Sequence, residues 1–270
     1  MPVLTIAIPT FNRVDKLGIA VDAISKLIVP RDLTLCLAIS NSQSEDATER
    51  FLRQLSLPNA ELILNNKEIV HLNNWAALSR IVPDHSDFVW LHGDDDIIFD
   101  REALLRLESF GAFDTGRQIA ITSIPQARRS LNSGCHPVVS LGAYACRYGC
   151  HELLGWMSSL LLNREAYFAF MANYEIAYDG NPDTSAMHAR GLGNLLHMTF
   201  FVENFWSSNT ILVDVPFIDE QIDAESKKQY VIARRQSEFR SNYLFSDRFF
   251  FDAKKLTRLA SLHALAGNDI

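Results

Sequence analysis

The chain has 270 residues, 48% hydrophobic and 21% charged, which suits a soluble globular protein with a large core, as one domain or one domain with an appendage. Its formal net charge of −7 argues against a general nucleic-acid binder. No stretch approaches the roughly 20 unbroken apolar residues of a membrane span, and Met1-Pro2-Val3 runs into an apolar segment with no basic leader, so the expected compartment is the cytoplasm.

Residues 3–8 are apolar throughout and read as a buried strand. Residues 16–27 read as a helix with Leu17, Ala20, Val21, Ile24 and Leu27 on one stripe. A second apolar strand follows at 33–40, then a helix at 46–55 capped by Ser44 or Asp46. A short strand at 60–64, a helix at 72–81 and a strand at 87–91 complete the alternation. Such βα alternation implies a parallel sheet covered on both faces. Ligands of these sheets bind beyond the carboxyl ends of the strands, and Asn12-Arg13, Asn41-Ser42 and the aspartates at 94–96 all fall there.

Beyond a helix starting near Arg101, residues 111–148 are punctuated by Gly134, Pro137 and Gly142 and read as short strands and loops over the crevice. Residues 158–162 read as a strand, 164–173 as a helix, 173–185 as a polar segment turning at Gly180-Asn181-Pro182-Asp183, and 184–198 as a helix. A last strand is expected at 210–213, and the tail after 225 reads as helical and amphipathic. Cys36 looks like plain core, while Cys135-His136 and Cys146-x-x-x-Cys150-His151 match no familiar zinc module.

The densest chemistry is the run Phe88-Val89-Trp90-Leu91-His92-Gly93 followed by Asp94, Asp95 and Asp96. Three like charges at the end of a buried strand repel one another and lose hydration, and a divalent metal is the usual reason to collect them. Asp94 and Asp96 make Asp-x-Asp, a hard-oxygen cradle for Mn²⁺ or Mg²⁺ carrying a diphosphate. The plain alternative is a solvated turn before the helix, with Asp100 as its cap. Neither G-x-x-x-x-G-K-[ST] nor G-x-G-x-x-G occurs, so phosphates must be held by other means.

With these motifs in place, the N-terminal half resembles the family 2 glycosyltransferases of the GT-A fold. Ile6-Ala7-Ile8-Pro9-Thr10-Phe11-Asn12-Arg13 is similar to that family's opening strand and turn. Asn41-Ser42-Gln43-Ser44-Glu45-Asp46-Ala47-Thr48 is similar to its second signature, and the run from Phe88 to Asp96 to its strand and Asp-x-Asp motif. Leu154-Gly155-Trp156-Met157-Ser158-Ser159-Leu160-Leu161-Leu162-Asn163-Arg164 resembles a stretch in sugar transferases of O-antigen and capsule assembly, the abequosyltransferase-like branch among them. The resemblance covers 3–110 well and 150–200 fairly, and does not extend past 215. It implies an α/β fold with a mostly parallel central sheet flanked by helices. It also implies a catalytic domain at 1–215, with 1–110 binding the nucleotide sugar and 111–215 the acceptor, and a helical, basic extension at 216–270. The implied activity moves a hexose-type sugar from a nucleotide-diphosphate donor to a glycan or lipid-linked glycan in bacterial surface polysaccharide synthesis. A sugar-phosphate nucleotidyltransferase and a non-catalytic nucleotide-sugar-binding or scaffold protein are the alternatives.

By the same resemblance, Pro9, Thr10, Asn12 and Arg13 line the nucleotide pocket, with Arg13 pairing a phosphate. Asn41 faces the base where the family usually carries Asp, Asp94 or Asp95 binds the ribose, and Asp96 with Asp94 holds the metal. An inverting transferase needs a base at the acceptor hydroxyl. Asp183 is the first choice, then Asp179, with His188 as a rival; a helix cap and a packed histidine are the plain readings. Trp156 and Ser158 are placed at the acceptor, with core packing as the plain reading of Trp156. The basic, aromatic-rich tail reads equally as a peripheral contact with an anionic bilayer at the inner face of the cell membrane and as a packed subdomain or homodimer interface.

Overall fold

The computed structural model describes residues 1–65, 78–114, 116–122, 134–135, 137–148, 153–154, 156–178, 201, 204–215 and 217–221. All belong to one of the chain's two units, Met1–Thr184 with Asn194–Gln221. The strands of this unit are β1 (Val3–Thr10), β2 (Thr34–Asn41), β3 (Glu61–Asn65), β4 (Phe88–Leu91), β5 (Asp96–Ile98), β6 (Ile119–Thr122), β7 (Gly134–Cys135), β8 (Val139–Ser140), β9 (Leu160–Asn163), β10 (Asn209–Asp214) and β11 (Ile218–Glu220). Its helices are α1 (Val14–Ser25), α2 (Thr48–Gln54), α3 (Ala103–Ser109), α4 (Leu141–Tyr148) and α5 (Arg164–Tyr178).

Among the described residues, nine strands form one sheet in the order β3-β2-β1-β4-β9-β6-β10-β7, with β8 also on β10. The first four in that order are parallel, as the βα alternation predicts. β9 runs antiparallel to both β4 and β6, and the β6–β10 pair is parallel again. The sheet is therefore mixed but mostly parallel. A separate two-stranded sheet pairs β5 with β11.

Strands with near-continuous apolar sequence have both faces covered. On one face Leu4, Ile6 and Ile8 of β1 lie beside Leu35, Leu37 and Ile39 of β2 and Phe88 and Trp90 of β4. Leu17, Val21 and Ile24 of α1 and Leu104 and Leu107 of α3 complete that core. Each such side chain, fully withdrawn from water, contributes roughly 1.5–3 kcal/mol. This core holds the strand ends that build the site.

Three helices differ from the sequence expectation. Residues 141–148, expected among strands and loops, form α4: Ser140 Oγ accepts the Ala143 N–H at 3.1 Å as a cap, and Leu141, Tyr144 and Ala145 are buried. The described end of the helix expected at 72–81 is a single 3₁₀ turn, Leu78–Arg80. The helix expected at 164–173 runs on to Tyr178. The helix expected at 184–198, the tail after 225 and the side chains of the Cys/His cluster at 135–151 lie outside the described residues. No helix among the described residues is long and apolar enough to cross a membrane.

Candidate functional site

The register of the parallel strands brings three turns together. Thr10 pairs with Asn41 at the ends of β1 and β2, and Ala7 pairs with Leu91 of β4. Three residues further along both segments, Thr10 faces Asp94, and the Thr10 hydroxyl donates to Asp94 Oδ2 at 2.7 Å. The β1 turn and the aspartates therefore meet because the strands are in register.

Arg13, at the amino end of α1, joins two of the carboxylates. Its Nη1 lies 3.0 Å from Asp94 Oδ1 and 2.9 Å from Asp95 Oδ2, and Lys16 Nζ lies 4.0 Å from the same Asp95 oxygen. Burial pushes the Asp94 carboxyl above its usual range, aided by neighbouring Asp95 and only partly offset by the Thr10 hydroxyl and Arg13. Burial acts on Arg13 in the opposite sense, but the charges of Asp94 and Asp95 outweigh it and hold the guanidinium firmly protonated. Burial thus dominates at Asp94, whereas Arg13, its side chain 46% exposed, is held charged by its two partners.

The third carboxylate is held from behind. Asp96 is buried, and Ser158 donates its hydroxyl to Asp96 Oδ2. The same Ser158 Oγ accepts the Gly93 N–H at 2.8 Å, and the Ser158 carbonyl accepts the Trp90 indole N–H at 2.8 Å. One serine on the turn before β9 therefore ties strand β4, the Gly93 turn and Asp96 together. Gly93 makes this closure possible: a Cβ there would come within 2.8 Å of Asp96 Oδ2 and 3.1 Å of Asp95 Oδ1.

The turns after β1 and β2 are laced by side chains. Ser44 Oγ donates to Asn41 Oδ1 at 2.6 Å and accepts the Asn12 N–H at 2.8 Å, while Asn12 Oδ1 accepts the Glu45 N–H at 2.7 Å. Asp46 accepts the N–H groups of Val14 and Thr48 at 3.0 and 2.9 Å, so it serves the starts of both α1 and α2. Burial pushes its pKa up, but the nearby Thr48 side chain and the backbone N–H groups of Val14 and Thr48 bring it below the ordinary range. Asn12 and Gln43 sit at φ 53° and 51°, in the left-handed region. Asn tolerates that region better than Gln does, and held backbone of this kind clusters at ligand sites. Asn41 is fully buried, and the neighbouring Ser42 Oγ is buried with no hydrogen-bond partner among the described residues.

His92 lies between β4 and the aspartates and is fully buried. Its Nδ1 is 2.7 Å from the Gly93 carbonyl, which can only accept, so the proton resides on Nδ1. Nε2 is left buried without a partner among the described residues. Burial lowers the His92 pKa to about 4, against the opposing pulls of the Gly93 carbonyl and Asp95. Because the unfolded imidazole titrates near ~6.5, the unfolded chain binds more protons between there and about 4. Stability is therefore expected to fall as pH drops through that window, by roughly 3 kcal/mol from this group. The raised pKa of Asp94 acts in the opposite direction, adding stability as pH falls through the carboxylate range. Urea unfolding at pH 7 and pH 5 should show a smaller pH dependence in His92→Asn than in the parent. Equal slopes would contradict this account.

Of the expected site residues, Pro9, Thr10, Asn12, Arg13 and Asn41 come together with Asp94, Asp95 and Asp96 at one end of the sheet. Trp156 packs half-buried against the core, and Ser158 lies beneath the aspartates. Asp179, Asp183 and His188 lie outside the described residues. Sequence inspection missed Lys16, one turn after Arg13, and Gln221, whose N–H donates to the Asp95 carbonyl at 2.9 Å. The i, i+3 spacing of Arg13 and Lys16 was the available signal for the first; nothing local marks the second. Among the described residues, no group of three His, Cys, Asp or Glu side chains is arranged to hold a metal by itself. A surface depression of about 490 Å³ lies at the opposite end of β4, lined by Asp87, Phe88, Asn163, Arg164, Glu165 and Phe168, and is separate from this site.

No protein-family model and no curated protein matches the chain. Solved structures do. The structure of S. aureus TarS 1–349 in complex with UDP matches with a TM-score of 0.57 at 13% identity, covering 85% of this chain and 63% of that one. The same TarS piece in complex with UDP-GlcNAc matches at TM-score 0.53 and 12% identity, covering 84% and 61%. Full S. aureus TarS gives TM-score 0.54 at 11% identity, with 85% of this chain and 38% of that one covered. The chain thus spans less than two thirds of the TarS chains it matches. These likenesses show the fold: an α/β unit of the GT-A glycosyltransferase type.

Proposed function

We propose that the chain is a family 2-type, metal-assisted glycosyltransferase that moves a hexose-type sugar from a nucleotide-diphosphate donor to a glycan or lipid-linked acceptor. The chief support is the meeting of Thr10, Arg13 and Asn41 with the carboxylates at 94–96, on a fold shared with a UDP-bound and a UDP-GlcNAc-bound protein. In this proposal the base lies over the Asn41–Ser44 turn and the diphosphate lies between Arg13, Lys16 and the aspartates.

The donor set fits a divalent cation that arrives with its substrate. Mg²⁺ keeps several waters and takes one or two carboxylates plus substrate phosphates, so two hard-oxygen side chains suffice. Asp96 and Asp94 are both buried at the end of the sheet, and a carboxylate, with about four lone-pair sites, can accept hydrogen bonds such as those from Ser158, Thr10 and Arg13 and ligate a metal as well. A bound Mn²⁺ or Mg²⁺ would offset charge on the leaving nucleoside diphosphate. Arg13 and Lys16 provide the chain's own positive charge for the phosphates, and Asp94 and Asp95 keep those cations oriented until the donor arrives. For an inverting reaction, the proposal gives the acceptor's proton to a base from Asp183, Asp179 or His188.

The proposed enzyme has four further features implied by the sequence resemblance. They are a catalytic domain at 1–215, with 1–110 for the nucleotide sugar and 111–215 for the acceptor, a helical, basic extension at 216–270, an acceptor in bacterial surface polysaccharide, and Trp156 as an acceptor platform. A thermal-shift screen of UDP, GDP, CDP and dTDP, each with and without Mn²⁺, tests the core of it. A ligand at a hundred times its Kd stabilises the folded state by about 2.7 kcal/mol. One nucleotide is expected to raise the melting temperature, and to do so more with Mn²⁺. No shift with any of the four, on a protein shown to be folded, would overturn the proposal.

A further inference from the structure

The aspartate turn is completed by a strand from far along the chain. Glu220 of β11 stands opposite Asp96 of β5, and Gln221 follows immediately. The Gln221 backbone N–H donates to the Asp95 carbonyl at 2.9 Å. Its side-chain Nε2 donates to the Lys16 carbonyl at 3.0 Å and to the Asp96 carbonyl at 3.3 Å. Only the amide end of the side chain can serve two carbonyls, so its orientation is determined by them. Oε1 is thereby turned to a buried position with no partner among the described residues. Leaving an acceptor unpaired is unfavourable, and it indicates that the two donated bonds set the geometry.

Those two carbonyls belong to opposite sides of the site. Lys16 lies on the first turn of α1, which carries the cations Arg13 and Lys16, while Asp96 belongs to the carboxylate loop. One carboxamide thus spans the cationic and anionic sides. Taking the nucleotide-diphosphate site proposed above as given, we propose that Gln221 is a positioning residue for it. Its carboxamide clamps α1 to the aspartate loop, so the spacing between the cations and the carboxylates is preset before the diphosphate enters. Preorganisation of this kind reaches affinity by lowering the cost of ordering on binding. No bond of the substrate is made or broken by Gln221.

The test uses the full chain. UDP, GDP, CDP and dTDP, each with Mn²⁺, are titrated into the parent protein, Gln221→Ala and Gln221→Met by calorimetry, and the ligand-free melting temperatures are measured alongside. Loss of two side-chain hydrogen bonds is expected to weaken the parent's best nucleotide by about tenfold or more in Gln221→Ala. Gln221→Met keeps the length but cannot donate, so it should lose about as much; a residue serving only to fill space would be rescued by Met. Parent-like affinity in both variants overturns the clamp while leaving the nucleotide site standing. Failure of the parent to bind any of the four removes both. Should the variants fail to fold, hydrogen exchange on the parent decides: amides of β11 and Gln221 must exchange more slowly when nucleotide and Mn²⁺ saturate the protein, and unchanged exchange overturns the clamp.

Discussion

Asp96→Asn is expected to lower the rate of sugar transfer by about 10²–10³-fold while leaving the chain folded. The substitution removes a charge and turns one acceptor oxygen into an amide donor. The Asn carbonyl can still accept the Ser158 hydroxyl, so the tie from Ser158 to Gly93 is kept. Repulsion also falls, because Asp94 and Asp95 lose a like-charged neighbour. The melting temperature should therefore stay within about 3 °C of the parent, on the scale of a 1 kcal/mol change for a domain of this size. What is lost is the buried carboxylate that the proposed mechanism assigns to the metal and diphosphate. Release of nucleoside diphosphate from a donor sugar, followed across a Mn²⁺ titration, reads the effect. A parent-like rate with a parent-like metal dependence would refute the role given to Asp96.

Ser158→Ala is expected to be costly in stability, by about 2–4 kcal/mol. Two losses add. The Gly93 N–H, now accepted by Ser158 Oγ at 2.8 Å, would be left without its acceptor beneath the turn. Asp96 would lose a hydroxyl donor to a buried carboxylate. The Trp90 indole bond goes to the Ser158 main-chain carbonyl and survives the change, so the effect can be assigned to the hydroxyl alone. Urea unfolding measures the stability, and Ser158→Thr, which restores a hydroxyl, should recover part of it. Affinity at the proposed nucleotide site should fall as well, because Ser158 holds both Asp96 and the Gly93 turn ahead of the aspartates. A destabilisation below about 0.5 kcal/mol, the range of an ordinary surface change, would show that this serine is not what holds the loop.

Much of this arrangement was legible in the residues. The runs in β1, β2 and β4 are apolar on both faces, so their identity as buried strands required no knowledge of their neighbours. Once their alternation with helices implied parallel order, the turns after them had to gather at one end. Thr10, Arg13, Asn41 and the aspartates could thus be grouped from sequence. Other parts were not legible because they depend on distant partners. β5 and β11 are three residues each, too short for any periodicity, and exist only by pairing with one another. The Arg13 contacts with Asp94 and Asp95 depend on where α1 begins relative to the sheet, which spacing alone does not set. α4 was obscured by glycine and proline around it, although its own Leu141, Tyr144 and Ala145 follow a helical stripe.

The pairing of β5 with β11 has a consequence for the order of events during synthesis. Gln221 and Asp96 are separated by 125 positions, yet they share a hydrogen bond. A ribosome adding roughly 5–20 residues per second takes about 6–25 s to cover that interval. During this time the emerging polypeptide can already pack β1, β2, β4, α1 and α3, but its aspartate turn has no β11 to lean on. The sheet can therefore be native-like before the aspartate turn is, and a ribosome-stalled chain ending short of β11 should carry a folded sheet with that turn unfinished.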